Sequence, residues 1–95
     1  MRFYYPAIVT KKTDGSYHAD FPDLEMCEAD GYNEDDCLDK AKDALYSWID
    51  VELQEEGEPD LPPASDIEEL EKGLGENQFV RTVMIIYRIL EGWEE

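Results

Sequence analysis

Asp20, Asp23, Asp30 and Glu34 crowd into one short stretch of this chain, and carboxylates so grouped can hold a divalent ion for phosphodiester cleavage. His18 stands near Ser16 and Cys27, the residue types of a base and its nucleophile. Neither grouping is specific. The chain holds 25 Asp and Glu against 8 Lys and Arg, so acidic clusters arise from composition alone, and no basic residue lies near these four to hold a phosphate. A single His on a hairpin strand is ordinarily a surface residue. Cys27 and Cys37 lack the spacing of a zinc or redox pair, and one His cannot complete a metal set with them, so reduced, semi-buried thiols are expected. No EF-hand, phosphate-binding loop, dinucleotide fingerprint or HExxH pattern occurs. No catalytic, metal or cofactor residue is assigned and an enzyme is not expected, a metal-dependent nuclease being only the third reading.

What stands out instead is an apolar corner, Phe21-Pro22-Asp23-Leu24, set in acid. The formal net charge is −17, and it is uneven: residues 1–19 carry +2, residues 20–76 carry −18 and residues 77–95 carry −1. Such a field repels nucleic-acid phosphates and attracts basic proteins, so a protein partner is expected and direct nucleic-acid binding is not. The aromatic residues are interleaved with acids where nucleic-acid binding needs Lys and Arg. Eleven aromatics and 42% hydrophobic content argue for a packed core over a disordered acidic chain. No signal peptide or span of about 20 apolar residues is visible, which points to a cytoplasmic protein away from membranes.

The elements that must position the corner follow from periodicity. Ninety-five residues suit one domain, 1–95. "FYYPAIVT" (3–10) predicts a strand, with Phe3, Tyr5, Ala7 and Val9 on one face and Tyr4, Pro6 and Ile8 on the other. Pro6 requires a bulge or an unpaired side. Asp14-Gly15 predicts a hairpin turn, and 16–21 the return strand. Residues 27–32 form a short third strand ending in a turn at Gly31. Asn33 can cap a helix over 34–56, whose Leu38, Ala41, Leu45, Trp48 and Ile49 share a face. After the Gly/Pro break of 55–65, Ser65 and Glu68 predict a capping box and a short helix ending at Gly73. "NQFVRTVMIIYRIL" (77–90) predicts a last strand, apolar enough that it should lie inside the sheet or be covered by another subunit. The fold class is a small two-layer α+β domain, β-β-β-α-(short α)-β. Both outer strands are apolar on their second face, which predicts a homo-oligomer, dimer or tetramer, through Tyr4, Ile8, Met84, Ile86 and Trp93.

"FYYPAIV", Asp14-Gly15, "FPDL" with Cys27 and Gly31, the acidic helix start, "AKDAL" (41–45) and "LPPAS" (61–65) together resemble the HicB-like antitoxin family over nearly the whole chain. The resemblance implies a partial ribonuclease-H-like fold without nuclease activity. It also implies a partner, a small basic HicA-like mRNA-cleaving toxin whose active site the antitoxin covers. Candidate partner contacts are Phe21, Pro22, Asp23, Leu24, Asp30, Glu34 and Asp35, an acidic rim around an apolar turn. The alternative is an orphan HicB-like homo-oligomer with no toxin. Two departures are visible. Glu25 and Met26 stand where many relatives have Pro-Gly, which predicts a less sharply turned corner. Nothing after the last strand could form a ribbon-helix-helix or helix-turn-helix segment, so operator binding is not expected.

Overall fold

Gly15 turns the first hairpin at φ 92°, a left-handed conformation that costs glycine nothing. The Asp14 carboxylate accepts from the Ser16 amide at 2.9 Å and the Ser16 hydroxyl at 2.6 Å, closing the turn between β1 (Arg2–Lys11) and β2 (Tyr17–Asp20). The computed structural model, which describes residues 2–54 and 61–87, continues through β3 (Glu28–Gly31), α1 (Glu34–Gln54), α2 (Ile67–Lys72) and β4 (Gln78–Ile86). The strands form one antiparallel sheet in the order β3-β2-β1-β4.

β1 explains its own proline. The β1–β4 register runs unbroken from Arg2↔Ile86 to Thr10↔Gln78, with Pro6 opposite Thr82, so there is no bulge. β2 pairs with β1 only between Ile8 and Lys11, and Pro6 falls where β1 has no neighbour on that side. A residue without an amide donor is tolerated there.

The core lies between the sheet and α1. Tyr5, Ala7 and Val9 of β1, Ala19 of β2, and Val83 and Ile85 of β4 meet Cys37, Ala41, Leu45 and Ile49, four α1 residues with no exposed surface. Burying one such Leu or Ile stabilises by about 1.5–3 kcal/mol. Trp48, on the same face of α1, packs against this core from its half-buried margin, where its indole N–H donates to the Glu25 carbonyl at 3.0 Å.

Three local expectations change. The N-cap of α2 is Asp66, whose carboxylate accepts from the Glu68 amide at 3.1 Å, because Ser65 is bound elsewhere. β4 lies at the edge of the sheet instead of inside it. Its outward face, with the facing residues of β1, leaves Tyr4, Met84 and Ile86 exposed, Tyr4 lying directly opposite Met84. Ile8 on the same face is half-buried, and Trp93 lies outside the described residues. The corner, finally, is tightly turned without Pro-Gly.

Candidate partner-binding surface

Three backbone hydrogen bonds fold the corner between β2 and β3. The Leu24 amide donates to Phe21 O at 3.1 Å, the Cys27 amide to Leu24 O at 3.3 Å, and the Phe21 amide back to Cys27 O at 3.0 Å. Phe21 and Leu24, 1% and 2% exposed, point into the core and anchor the turn. Closing it requires a left-handed residue, and Met26 supplies it at φ 61°. An L-residue pays about 1–2 kcal/mol for that conformation, which is why glycine is favoured in such places.

Asp23 holds the other side of the corner. Its carboxylate accepts from the Ser65 amide at 2.8 Å and from the Ser65 hydroxyl, pinning residues 61–66 across the end of the sheet. The Tyr5 hydroxyl donates to the Pro62 carbonyl in the same region, and burial together with the Asp23 charge raises the Tyr5 pKa. Pro22 is exposed.

The acidic rim continues at the β3–α1 junction. Asn33 Oδ1 accepts from the Asp36 amide at 2.8 Å, while the Asp36 carboxylate accepts from the Tyr32 amide at 3.0 Å and from Lys40 Nζ at 3.1 Å. These bonds, the Tyr32 amide foremost, hold the Asp36 carboxyl below its usual range. The arrangement is a variant of the capping box: Asn33 satisfies an orphan donor of the first turn, and Asp36 reaches back to the amide just before the cap. Gly31 permits it by close approach: a Cβ there would lie 2.3 Å from the Cys37 nitrogen.

The remaining candidate carboxylates are dispersed. Asp30 accepts from His18 Nδ1 at 2.8 Å and lies 3.5 Å from Lys12 Nζ, the His18 bond being the main reason its carboxyl is held low. His18 Nε2 lies 3.1 Å from Glu28. Glu34 pairs with Arg81 at 3.0 Å, and Asp35 is exposed. Asp20, Asp23, Asp30 and Glu34 therefore do not gather around one point, and no cluster of three or more His, Cys, Asp or Glu suited to a metal occurs among the described residues. Cys27 and Cys37 are free, buried thiols; burial, with Asp20 and Glu28, pushes Cys27 up to about 11, and burial also raises Cys37.

One surface feature escaped the sequence reading. Between the corner and α1 runs a groove of about 490 Å³, walled by the apolar Met26, Ala44, Trp48 and Val51 and bordered by Glu25, Glu28 and Glu52. Met26 is 91% exposed and Val51 60%. The available signal was a long apolar side chain between two glutamates in a turn, together with a valine just off the buried stripe of α1.

A family model described as the HicB_like antitoxin of bacterial toxin–antitoxin systems matches residues 4–72. Among solved structures, a toxin–antitoxin complex from Streptococcus pneumoniae contains a chain with a TM-score of 0.75 at 22% identity, covering 100% of this chain and 79% of that one. The N-terminal domain of the Burkholderia pseudomallei antitoxin HicB gives a TM-score of 0.65 at 21% identity, covering 92% of this chain and 100% of that one. A chain of a HicA3 and HicB3 toxin–antitoxin complex gives 0.61 at 24% identity, covering 85% and 95%. At these identities the structures show a shared fold. No curated protein matches the sequence. No helix among the described residues is long and apolar enough to cross a membrane. With a four-stranded antiparallel sheet and two helices like those of the HicB N-terminal domain, and a family match spanning most of its length, this chain belongs to the HicB-like antitoxins of bacterial toxin–antitoxin systems.

Proposed function

We propose that the protein is a non-enzymatic, cytoplasmic binding module, residues 1–95 acting as one domain, that neutralises a small basic HicA-like mRNA-cleaving toxin by covering its active site. The observation that carries this reading is the family match over residues 4–72. The charge supports it, because −17 complements the positive surface an RNA-cleaving protein offers its substrate. Two of the similar chains come from structures described as toxin–antitoxin complexes. Exposed carboxylates such as Asp35 stand where RNA phosphates would otherwise bind, while apolar side chains inside the rim slow dissociation. Phe21 and Leu24 serve as the floor of the corner, and Pro22, Asp30, Glu34 and Asp35 form its outer contacts.

The test mixes the protein with a HicA-like toxin from the same genome and follows cleavage of an mRNA substrate. One equivalent is expected to suppress cleavage, and association is expected to slow as salt rises. Full cleavage at tenfold excess of this protein refutes the reading.

A specific observation favours self-association as well: β4, paired with β1 on one side, is an edge strand with no neighbour on the other among the described residues, and Tyr4, Met84 and Ile86 are exposed beside it. An apolar edge of this kind is ordinarily covered. The outer face of β1 and β4 also comes from the least acidic parts of the chain, so two copies can meet there with little repulsion. Light scattering should give a dimer or tetramer that Met84→Glu dissociates. A monomer at high micromolar concentration removes this part of the reading.

A further inference from the structure

We infer that Met26 is the anchor by which the groove between the corner and α1 engages the basic toxin-type partner, an inference that rests on the function proposed above. Closing the corner accounts for its backbone conformation, but not for a long apolar side chain left outside the core. Met26 holds φ 61° and leaves 91% of its surface in solvent, so it takes on backbone strain without burying its side chain. Strain of this kind persists where surrounding structure enforces it, and it collects at functional positions. Here both flanking residues are tied. The Glu25 carbonyl accepts from the Trp48 indole, and the Cys27 amide and carbonyl are bonded to Leu24 and Phe21. The methionine is thereby presented outward on a fixed backbone, beside Trp48 and Val51.

The chemistry of the surroundings selects the occupant. An adaptable, polarizable side chain carried beside an apolar wall fits a partner's apolar pocket, and the fixed backbone lowers the entropy lost on binding. Glu25 and Glu28 border the groove, so a second copy of this chain would bring like charges together there, whereas a basic protein would find opposite ones. The partner therefore presents an apolar recess flanked by Lys or Arg.

Three variants test this against a HicA-like toxin from the same genome, with binding kinetics and thermal melting measured on each. Met26→Gly relieves the left-handed residue and removes the anchor. It should raise Tm by a few degrees yet weaken binding at least tenfold, chiefly through faster dissociation. Val51→Glu should weaken binding by a similar factor although it adds a charge the partner should favour. Glu25→Gln should slow association and flatten its salt dependence, with dissociation nearly unchanged. If wild type binds and Met26→Gly and Val51→Glu stay within twofold of it, the groove assignment is wrong while the antitoxin reading stands. A lowered Tm for Met26→Gly would show a structural role and also overturn the assignment. If wild type itself neither binds nor inhibits the toxin, the underlying reading fails.

Discussion

Replacing Gly31 by alanine tests how tightly β3 and α1 are locked together. An added Cβ would lie 2.3 Å from the Cys37 nitrogen, 2.5 Å from its Cα and 2.8 Å from the Asp36 carbonyl carbon. Carbon atoms pack favourably at about 3.5–4.0 Å, so the first turn of α1 must retreat by more than an ångström. These are backbone atoms and cannot swing aside as a side chain would. Overpacking costs about 1–3 kcal/mol, and the rigid neighbours place this site near the upper end. Alanine recovers about 0.4–1 kcal/mol by restricting the unfolded chain, leaving a net loss of about 2 kcal/mol. For a domain of this size that lowers Tm by about 8–16 °C, measurable by circular dichroism. Gly73→Ala is the control: no atom lies within 4 Å of its Cβ and its φ is −102°, so Tm should hold or rise slightly. Equal melting of the two variants would refute the close-approach argument.

Removing the corner's carboxylate in Asp23→Ala breaks both bonds to Ser65, charge-assisted contacts worth about 1.5–3 kcal/mol in all at this half-buried site; the urea midpoint should fall, with an unchanged midpoint as the contrary result. The thiols should resist Ellman's reagent at pH 8 in the native protein, since Cys27 is 2% exposed with a pKa of about 11, and both should react at once in guanidinium; immediate native labelling of Cys27 counts against its burial. Asp14, Asp30 and Asp36 all lie below the ordinary value of 3.8, so each contributes stability that is present above that pH and lost as pH falls through the lower folded value. The Tm gap between wild type and Asp36→Asn should be steady from pH 5 to 7 and close below about pH 4. A gap that widens on acidification would contradict that sign.

Local features were the legible ones. Alternation in 3–10 placed β1, the Asp14-Gly15 pair placed its turn, and the spacing from Leu38 to Ile49 placed α1 behind its Asn33 cap. Each depends on neighbours a few residues away. The readings that shifted depend on distant partners. Ser65 gave up the capping role because Asp23, 42 residues away, claims both its amide and its hydroxyl. Gly31 looked like a turn glycine, but what requires it is the backbone of Cys37. The corner followed the same pattern: without Pro-Gly a looser turn was expected, yet the buried Phe21 and Leu24 impose the geometry and Met26 conforms. Of the partner candidates, the sequence marked the acidic residues and the corner, while the groove emerged only where α1 crosses beside it.

The longest strand pairing among the described residues, Arg2↔Ile86 through Thr10↔Gln78, joins stretches far apart in the sequence. Closing so large a loop is entropically slow, whereas the β1–β2 hairpin and α1 need only nearby residues. Without residues 78–86 the early strands and the long helix leave the β4 flank of the layer bare. A chain halted before residue 78 would therefore lack the strand that seals this flank of its hydrophobic interior.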